Sequence, residues 1–149
     1  MRQLDARLRE LSDRGEGAFA PFIVLGDPGP DETLRWIDAL AEGGADLFEF
    51  GFPYSDPPAD GPVIQASSQA ALAGGVTPAA AFDAIGDITR ASEVPIVVMT
   101  YLNPILAYGP AAFLDRAAAV GGVIHGCIMH QDQHAIPGAV QVHLDQIDP

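Results

Sequence analysis

The sequence predicts an α/β protein built on a parallel sheet, and three observations support that class. Short apolar runs rich in β-branched residues alternate with segments whose apolar residues recur at helical spacing. Glycine, proline and asparagine turn signals separate the two kinds of segment. The segments alternate in the order that parallel strands require, because each crossover between such strands needs a helix or a long connection.

The predicted elements begin with an amphipathic N-terminal helix, in which Leu4, Leu8 and Leu11 form one face. We expect this helix to act as a cap ahead of the first strand. The strands are predicted at 18–25, 45–51 and 95–101, and the helices at 2–13, 31–41, 63–73, 78–90 and 111–120.

Capping and turn residues set the boundaries of these elements. Asp31 and Thr77 are predicted as N-caps of the helices that follow them. Asn103 and Pro104 are predicted to form a turn that ends the third strand. Segment 52–62, FPYSDPPADGP, holds four prolines and is predicted to be a long loop at the C-terminal end of the second strand. Functional residues concentrate in such loops.

The composition excludes several classes of protein. The 149 residues include 20 acidic and 7 basic side chains, for a formal net charge of −13. We expect no nucleic-acid partner, because a phosphate backbone requires clustered basic residues. No apolar run approaches the ~20 residues of a membrane-spanning helix, and the N-terminus lacks a secretory signal, so we expect a cytoplasmic protein without membrane contact. The single cysteine, Cys127, allows no internal disulfide.

The acidic composition, in which all seven basic residues are arginine, has two interpretations. A protein selected for concentrated salt carries such an excess of acid because the salt screens its self-repulsion. An ordinary acidic protein of the cytoplasm is the alternative. The dependence of stability on salt separates the two.

Glu49 is the first candidate for chemistry. Because side chains alternate along a strand, Glu49 shares a face with Leu47 and Gly51, while Phe48 and Phe50 lie on the other face. Parallel sheets are covered on both faces, so we expect a partly buried carboxylate near the end of the strand. Burial raises the pKa of a carboxyl group, which suits proton transfer. A glutamate that reaches solvent or pairs with an arginine is the alternative.

Two aspartates of the proline-rich loop are candidates for a second acid. Asp60 follows Glu49 by eleven residues, and spacing alone does not separate its role from that of Asp56. Two carboxylates in different surroundings can divide a reaction, one protonated and the other ionised. Turn stabilisation is the alternative role for both aspartates.

Three segments, PFIVLGDPGP, ADLFEFGFPYSDPPADGPVIQ and TYLNPILAYG, resemble signature segments of the tryptophan synthase alpha subunit family. The resemblance runs from about residue 14 to residue 121, and the middle segment is highly specific. It implies a partial (β/α)8 barrel, roughly the first half, since a full barrel takes ~250 residues. The implied activity is that of a lyase without a cofactor, which cleaves indole-3-glycerol phosphate to indole and glyceraldehyde 3-phosphate in tryptophan biosynthesis.

The resemblance also implies roles for individual residues. Glu49 would be the general acid/base that protonates indole C3 and helps remove a hydroxyl proton from the glycerol chain, in a retro-aldol cleavage. Asp60 would accept a hydrogen bond from the indole N–H and stabilise the positive charge that develops there. Phe22, Ile64 and Tyr101 would line the slot for the indole ring. Plain barrel core is the alternative for these three.

A beta subunit that receives indole, in an alpha2-beta2 type complex, is the partner that the resemblance implies. The residues that would face it are Pro53, Asp56, Pro57, Asn103 and Pro104. Asp56 is the candidate for a signal between the subunits. Turn chemistry is the alternative for this set.

The sequence departs from the family after residue 121. All four histidines and the only cysteine fall in the last 29 residues, which show no sustained periodicity. We predict a partial-barrel domain at 1–121 and a divergent tail at 122–149. The paired spacing of His130 and His134 suits metal binding, but no second ligand pair frames them, so we predict no metal site.

The missing half of the barrel also sets an expectation for activity. The loops that usually bind substrate phosphate follow later strands, and an incomplete barrel leaves strand edges unpaired. We therefore expect a truncated chain that is unstable or oligomeric, with little or no turnover. A catalytically inactive fragment that retains part of the beta-binding surface is the alternative function.

Overall fold

In a computed structural model, residues 2–120 are described and form a three-stranded parallel sheet with six helices. The predicted α/β class is confirmed. The predicted tail at 122–149, with its histidines and Cys127, lies outside the described residues, and its boundary stays a prediction. In chain order the elements are α1 Arg2–Arg14, β1 Phe22–Val24, α2 Pro30–Glu42, β2 Phe48–Gly51, α3 Pro62–Ala73, α4 Pro78–Ala91, β3 Ile96–Met99, α5 Leu102–Tyr108 and α6 Pro110–Ala119.

The sheet has the strand order β1-β2-β3, and its register aligns Glu49 with Phe22 on one side and with Val97 on the other. Residues paired in a parallel sheet project to the same face. One face, here called the inner face, therefore carries these three partly buried residues. The opposite, outer face carries the buried residues Ile23, Phe48, Phe50, Ile96 and Val98.

The hydrophobic core lies between the outer face and the helices. Phe48 and Phe50 are completely buried there. Beyond the strands, the rings of Phe52, Phe82 and Phe113 pack together with centroids 4.9 to 5.5 Å apart; Phe82 meets the other two edge to face. Each such ring contributes up to about 3 kcal/mol through burial, so the outer face anchors the sheet and leaves the inner face available for a site.

The helix starts confirm one predicted cap and correct another. Thr77 precedes α4, and its hydroxyl oxygen accepts a hydrogen bond from the backbone N–H of Ala80 at 3.2 Å. The predicted cap Asp31 is wrong, because α2 begins at Pro30 with Gly29 in the capping position. Proline suits the first helical position since its fixed φ is already helical, and this moves the start one residue earlier.

The prediction of a turn at Asn103 and Pro104 is wrong as well. Both residues lie in the first turn of α5, which the sequence analysis did not predict. Proline is tolerated there because the first four N–H groups of a helix have no partner within it. The strands are also shorter than predicted: β1 and β3 at both ends, and β2 at its start only.

Helix α1 buries Leu4 and Leu11, and its Arg7 bonds to Asp46, which lies just before β2. Arg7 Nη2 donates to Asp46 Oδ1 at 2.6 Å, and the backbone N–H of Phe19 donates to Asp46 Oδ2 at 2.7 Å. The Phe19 N–H, together with the Arg7 guanidinium, holds the pKa of Asp46 below its ordinary value, although burial opposes the shift. Because Asp46 precedes β2, α1 closes the end of the sheet opposite to the proline-rich loop.

Candidate active site

A pocket lies at the C-terminal ends of the strands, on the inner face of the sheet. Four residues that the sequence analysis singled out line it: Phe22, Asp60, Ile64 and Tyr101. The other lining residues were not predicted; they are Val24, Gly51, Phe52, Ser68, Met99 and Thr100. Strand alternation hints at some of them, but only the register of the three strands brings them together.

Glu49 lies on the same face as this pocket without lining it. Its register partner Phe22 lines the pocket, and so does Gly51, two residues further along β2. Two residues of a strand span about 6.6 Å. Glu49 is half-buried, as the alternation of the strand predicts. The two candidate acids thus occupy one side of the sheet, with Glu49 behind the pocket and Asp60 at its wall.

Asp60 ends the loop that leads from β2 to α3. Gln65 Nε2 donates to the backbone carbonyl of Asp60 at 2.8 Å, and the N–H of Ala59 donates to the Tyr101 hydroxyl oxygen at 3.3 Å. These two bonds tie the end of the loop to α3 and to the segment after β3. The half-buried Asp60 side chain is therefore held at the pocket.

Asp56, which spacing did not distinguish from Asp60, has different surroundings. It is exposed and accepts a hydrogen bond from the Ser55 hydroxyl at 2.7 Å. It does not line the pocket. This local bond is a turn contact of the kind that aspartate often makes.

Tyr101 is a buried residue of the pocket wall that carries a polar group, with 9% of its surface exposed. Burial raises the pKa of its phenol, and the negative charge of Asp60 raises that pKa further. The phenol is therefore neutral at physiological pH, so its O–H remains a hydrogen-bond donor while its oxygen accepts from Ala59.

A second, more open depression, here called the groove, lies between the proline-rich loop, the start of α4 and α5. Three predicted interface residues line it, namely Pro53, Asn103 and Pro104. Asp56 and Pro57 lie outside its lining. Tyr54 also lines the groove and was missed by the sequence analysis; its hydroxyl oxygen accepts a hydrogen bond from Asn103 Nδ2 at 2.7 Å.

Neither a metal site nor a membrane span is found in the part of the chain that the structure describes. Within residues 2–120, no three His, Cys, Asp or Glu side chains are grouped so that they could hold a metal ion. His130 and His134 lie outside that range. None of the helices in that range has the length and apolarity to cross a membrane.

Parallel strands that alternate with helices, and a pocket at their carboxyl ends lined by an acid, are the arrangement that (β/α)8-barrel enzymes use for their active sites. A family model described as tryptophan synthase alpha chain matches residues 8–137. The chain belongs to this family, which consists of lyases of tryptophan biosynthesis. The matched range extends beyond residue 121, at which the resemblance of the signature segments ends.

Individual relatives agree with the family match. The tryptophan synthase alpha chain of Laribacter hongkongensis is 48% identical over 127 residues, covering 83% of this chain and 48% of the relative. That of Shewanella amazonensis is 53% identical over 117 residues, covering 78% and 43%. The chain therefore spans about half the length of the curated relatives that it matches.

Solved structures show the same relationship. A crystal structure of tryptophan synthase from M. tuberculosis in an aminoacrylate-bound form superposes with a TM-score of 0.78 at 35% identity, covering 88% of this chain and 54% of that one. The alpha subunit from Legionella pneumophila superposes with a TM-score of 0.76 at 35% identity, covering 80% and 46%. The predicted partial barrel is confirmed.

Proposed function

We propose that this chain carries the acid/base pair for the cleavage of indole-3-glycerol phosphate to indole and glyceraldehyde 3-phosphate. The observation that carries the proposal is the shared inner face: Glu49 pairs with Phe22, and Phe22 lines one pocket with Asp60 and Tyr101. The carboxyl group of Glu49 lies beside an apolar pocket that can hold an aromatic ring, and that of Asp60 lines the pocket. This arrangement suits the protonation of an aromatic carbon.

The reaction needs a proton at indole C3 before the carbon–carbon bond can break. In the proposed mechanism Glu49 donates that proton, and positive charge develops on the ring nitrogen. Asp60 accepts a hydrogen bond from the ring N–H and stabilises this charge, a contribution of a few kcal/mol. Glu49, which is a carboxylate after giving up its proton, then takes a hydroxyl proton of the glycerol chain as the aldehyde forms. The electron pair of the broken carbon–carbon bond returns to the indole ring and neutralises the charge on its nitrogen.

Binding of the ring is assigned to Phe22, Ile64 and Tyr101, which supply two aromatic faces and one aliphatic contact to the pocket. Their side chains are partly or fully buried, so an indole ring would replace water against apolar surface. Val24 and Met99 extend the same surface.

The test measures indole release from indole-3-glycerol phosphate by the full 149-residue chain, alone and with a tryptophan synthase beta subunit added. We expect Glu49→Gln and Asp60→Asn each to lower the rate by at least about 100-fold, because each removes a charge or a proton used in the transition state. Glu42→Gln and Asp38→Asn, which change exposed acids on α2, serve as matched controls. A parent-like rate in Glu49→Gln rejects the assignment.

A second candidate is a catalytically inactive chain that binds the beta subunit. The groove favours it, because Pro53, Asn103 and Pro104 form an open surface apart from the pocket. Absence of indole release, together with capture of a purified beta subunit that Asn103→Ala weakens, would support this candidate. Asp56→Asn tests the proposed signal between the subunits, since Asp56 is exposed beside the groove residue Ser55.

A further inference from the structure

A short hydrogen bond between side chains joins the loop after β1 to helix α3. Ser67 Oγ donates to Asp27 Oδ2 at 2.5 Å, although the two residues are 40 positions apart in the sequence. Both residues are partly buried. A hydroxyl that donates to a carboxylate makes a charge-assisted bond, which is shorter and stronger than a bond between neutral groups. The bond therefore fixes one distance between the loop and the helix.

A close backbone approach places the same loop against the next turn of α3. Gly26 has a φ of +95°, and a Cβ atom there would lie 3.3 Å from Cβ of Ala71 and would overlap the side chain of Val76. Glycine permits both this backbone conformation and this approach. Ser67 and Ala71 are four positions apart, so they lie on one face of the helix. The loop therefore contacts α3 at two successive turns.

The face of α3 that the loop contacts also carries part of the pocket wall. Ile64 and Ser68, three positions before and one position after Ser67, line the pocket. At the other end of the bond, the backbone N–H of Asp27 donates to the carbonyl oxygen of Val24 at 3.3 Å, and Val24 lines the pocket as well. The contacts thus run from a pocket residue on β1 to two pocket residues on α3.

We propose that Asp27 and Ser67 are positioning residues: their bond holds α3 against the end of β1 and so fixes the wall that Ile64 and Ser68 give to the pocket. This inference rests on the proposed function for the role of the pocket in binding an indole ring. The contacts between the loop and the helix are independent of that role.

Helix α3 depends on this bond because it buries little apolar surface. Its buried residues are Ser68 and Ala71, which are both small, whereas Val63 near its start is 77% exposed. Burial stabilises in proportion to the apolar area removed from water, so these residues contribute less than the phenylalanines of the core. Loss of the polar bond to Asp27 therefore lets the helix move relative to β1.

The experiment uses the full 149-residue chain and follows the pocket wall by NMR, through the δ1 methyl group of Ile64 and the backbone amide of Ser68. Asp27→Ala removes the acceptor of the bond, and Ser67→Ala removes its donor. We expect each variant to shift both signals in the same direction and to weaken the binding of indole, used as the probe, about threefold to tenfold. The double variant should match the single variants, because both changes remove the same bond.

Conservative variants test whether the bond itself positions the helix. Ser67→Thr keeps a hydroxyl and Asp27→Asn keeps an acceptor oxygen, so both should restore the parent signals. Failure of both to do so overturns the proposal. Gln69→Ala is the matched control, since Gln69 is exposed on the same helix. It should leave both signals and the affinity for indole unchanged.

Unmoved Ile64 and Ser68 signals in Ser67→Ala also overturn the proposal, as does a double variant whose shifts are the sum of those of the single variants. If Asp27→Ala does not fold, Ser67→Ala and Ser67→Thr carry the test. Failure of the proposed function appears separately, as a parent chain that binds no indole or as parent-like indole release by Glu49→Gln. The Ile64 and Ser68 signals decide the present proposal in either case.

Discussion

At Gly51 the missing side chain determines where an aromatic ring can lie. A Cβ atom at this position would be 2.6 Å from Cζ of Phe22, closer than real Cβ contacts allow. Phe22 is on the neighbouring strand and lines the pocket. Glycine at the end of β2 therefore lets the Phe22 ring lie across the strand and form part of the pocket wall.

We predict that Gly51→Ala lowers the free energy of unfolding by about 1–3 kcal/mol, because the ring must move out of a packed position. Chemical denaturation measures the loss, and the Phe22 ring signals in an NMR spectrum should shift. Gly17→Ala is the control, because a Cβ there meets nothing within 4 Å. It should change stability by no more than about 0.5 kcal/mol. Equal stability of the two variants would show that the Phe22 ring can be displaced at no cost.

Asp60 and Asp56 show how differently two residues of one loop can be placed. Asp60 lines the pocket, its backbone carbonyl accepts from Gln65, and its neighbour Ala59 donates to Tyr101. Asp56 is exposed and accepts a hydrogen bond from its neighbour Ser55. Their side chains are chemically identical. The difference in candidate role therefore comes entirely from what surrounds each carboxylate.

Among the elements, α1 is attached through one carboxylate. Asp46 receives the Arg7 side chain from α1 and the Phe19 N–H from the segment before β1. It thus joins three parts of the chain at the end of the sheet away from the pocket. Leu4 and Leu11 of the same helix are buried.

This contact makes the stability depend on pH. The native pKa of Asp46 is lowered, so its contribution is fully present above the ordinary aspartate pKa of about 4 and is lost as the pH falls through the lower native value. We predict that the difference in unfolding free energy between the parent and Asp46→Asn shrinks over that range. Urea unfolding at a series of pH values measures it. Asp13→Asn, an exposed change on α1, should follow the parent curve. A constant difference for Asp46→Asn would contradict the prediction.

Helix α5 is an element that the local sequence pattern does not predict. Its start contains Asn103 and Pro104, which are typical of a turn, yet both form the first turn of the helix. Packing decides the outcome, because Ile105 and Tyr108 contact the core cluster and Asn103 bonds to Tyr54. Tyr54, for example, lies 49 positions before Asn103 in the sequence.

For the whole molecule, the dominant electrostatic quantity is the net charge of −13. The ion pairs found in the described region join arginines to acids, and most of them are exposed, such as Arg35 with Glu32 and Arg90 with Asp87. Exposed pairs contribute little, so repulsion among the excess acids outweighs them.

We predict that the free energy of unfolding rises from low to molar salt, because screening weakens this repulsion more than it weakens the exposed ion pairs. Denaturation in urea at increasing potassium chloride measures the change. A variant with Asp5→Asn, Asp13→Asn and Asp38→Asn carries three fewer charges, all at exposed positions, and should show a flatter dependence. Stability that does not rise with salt would favour the ordinary acidic protein.

The sequence alone determined the properties that depend on local spacing. Alternation in β2 separated Glu49 from Phe48 and Phe50, and the threonine-proline pair at the start of α4 marked a helix boundary. The resemblance to the family predicted the partial barrel and four residues that line the pocket, namely Phe22, Asp60, Ile64 and Tyr101. These features are readable because strand and helix periodicities act over a few residues.

Tertiary structure decided what depends on contacts between distant segments. Strand register placed Gly51 beside the Phe22 ring, and long-range hydrogen bonds separated Asp60 from Asp56 and joined Tyr54 to Asn103. The physical reason is that a side chain's role depends on its burial and its hydrogen-bond partners. Those partners come from elements up to 49 positions away along the chain, a separation that no local pattern encodes.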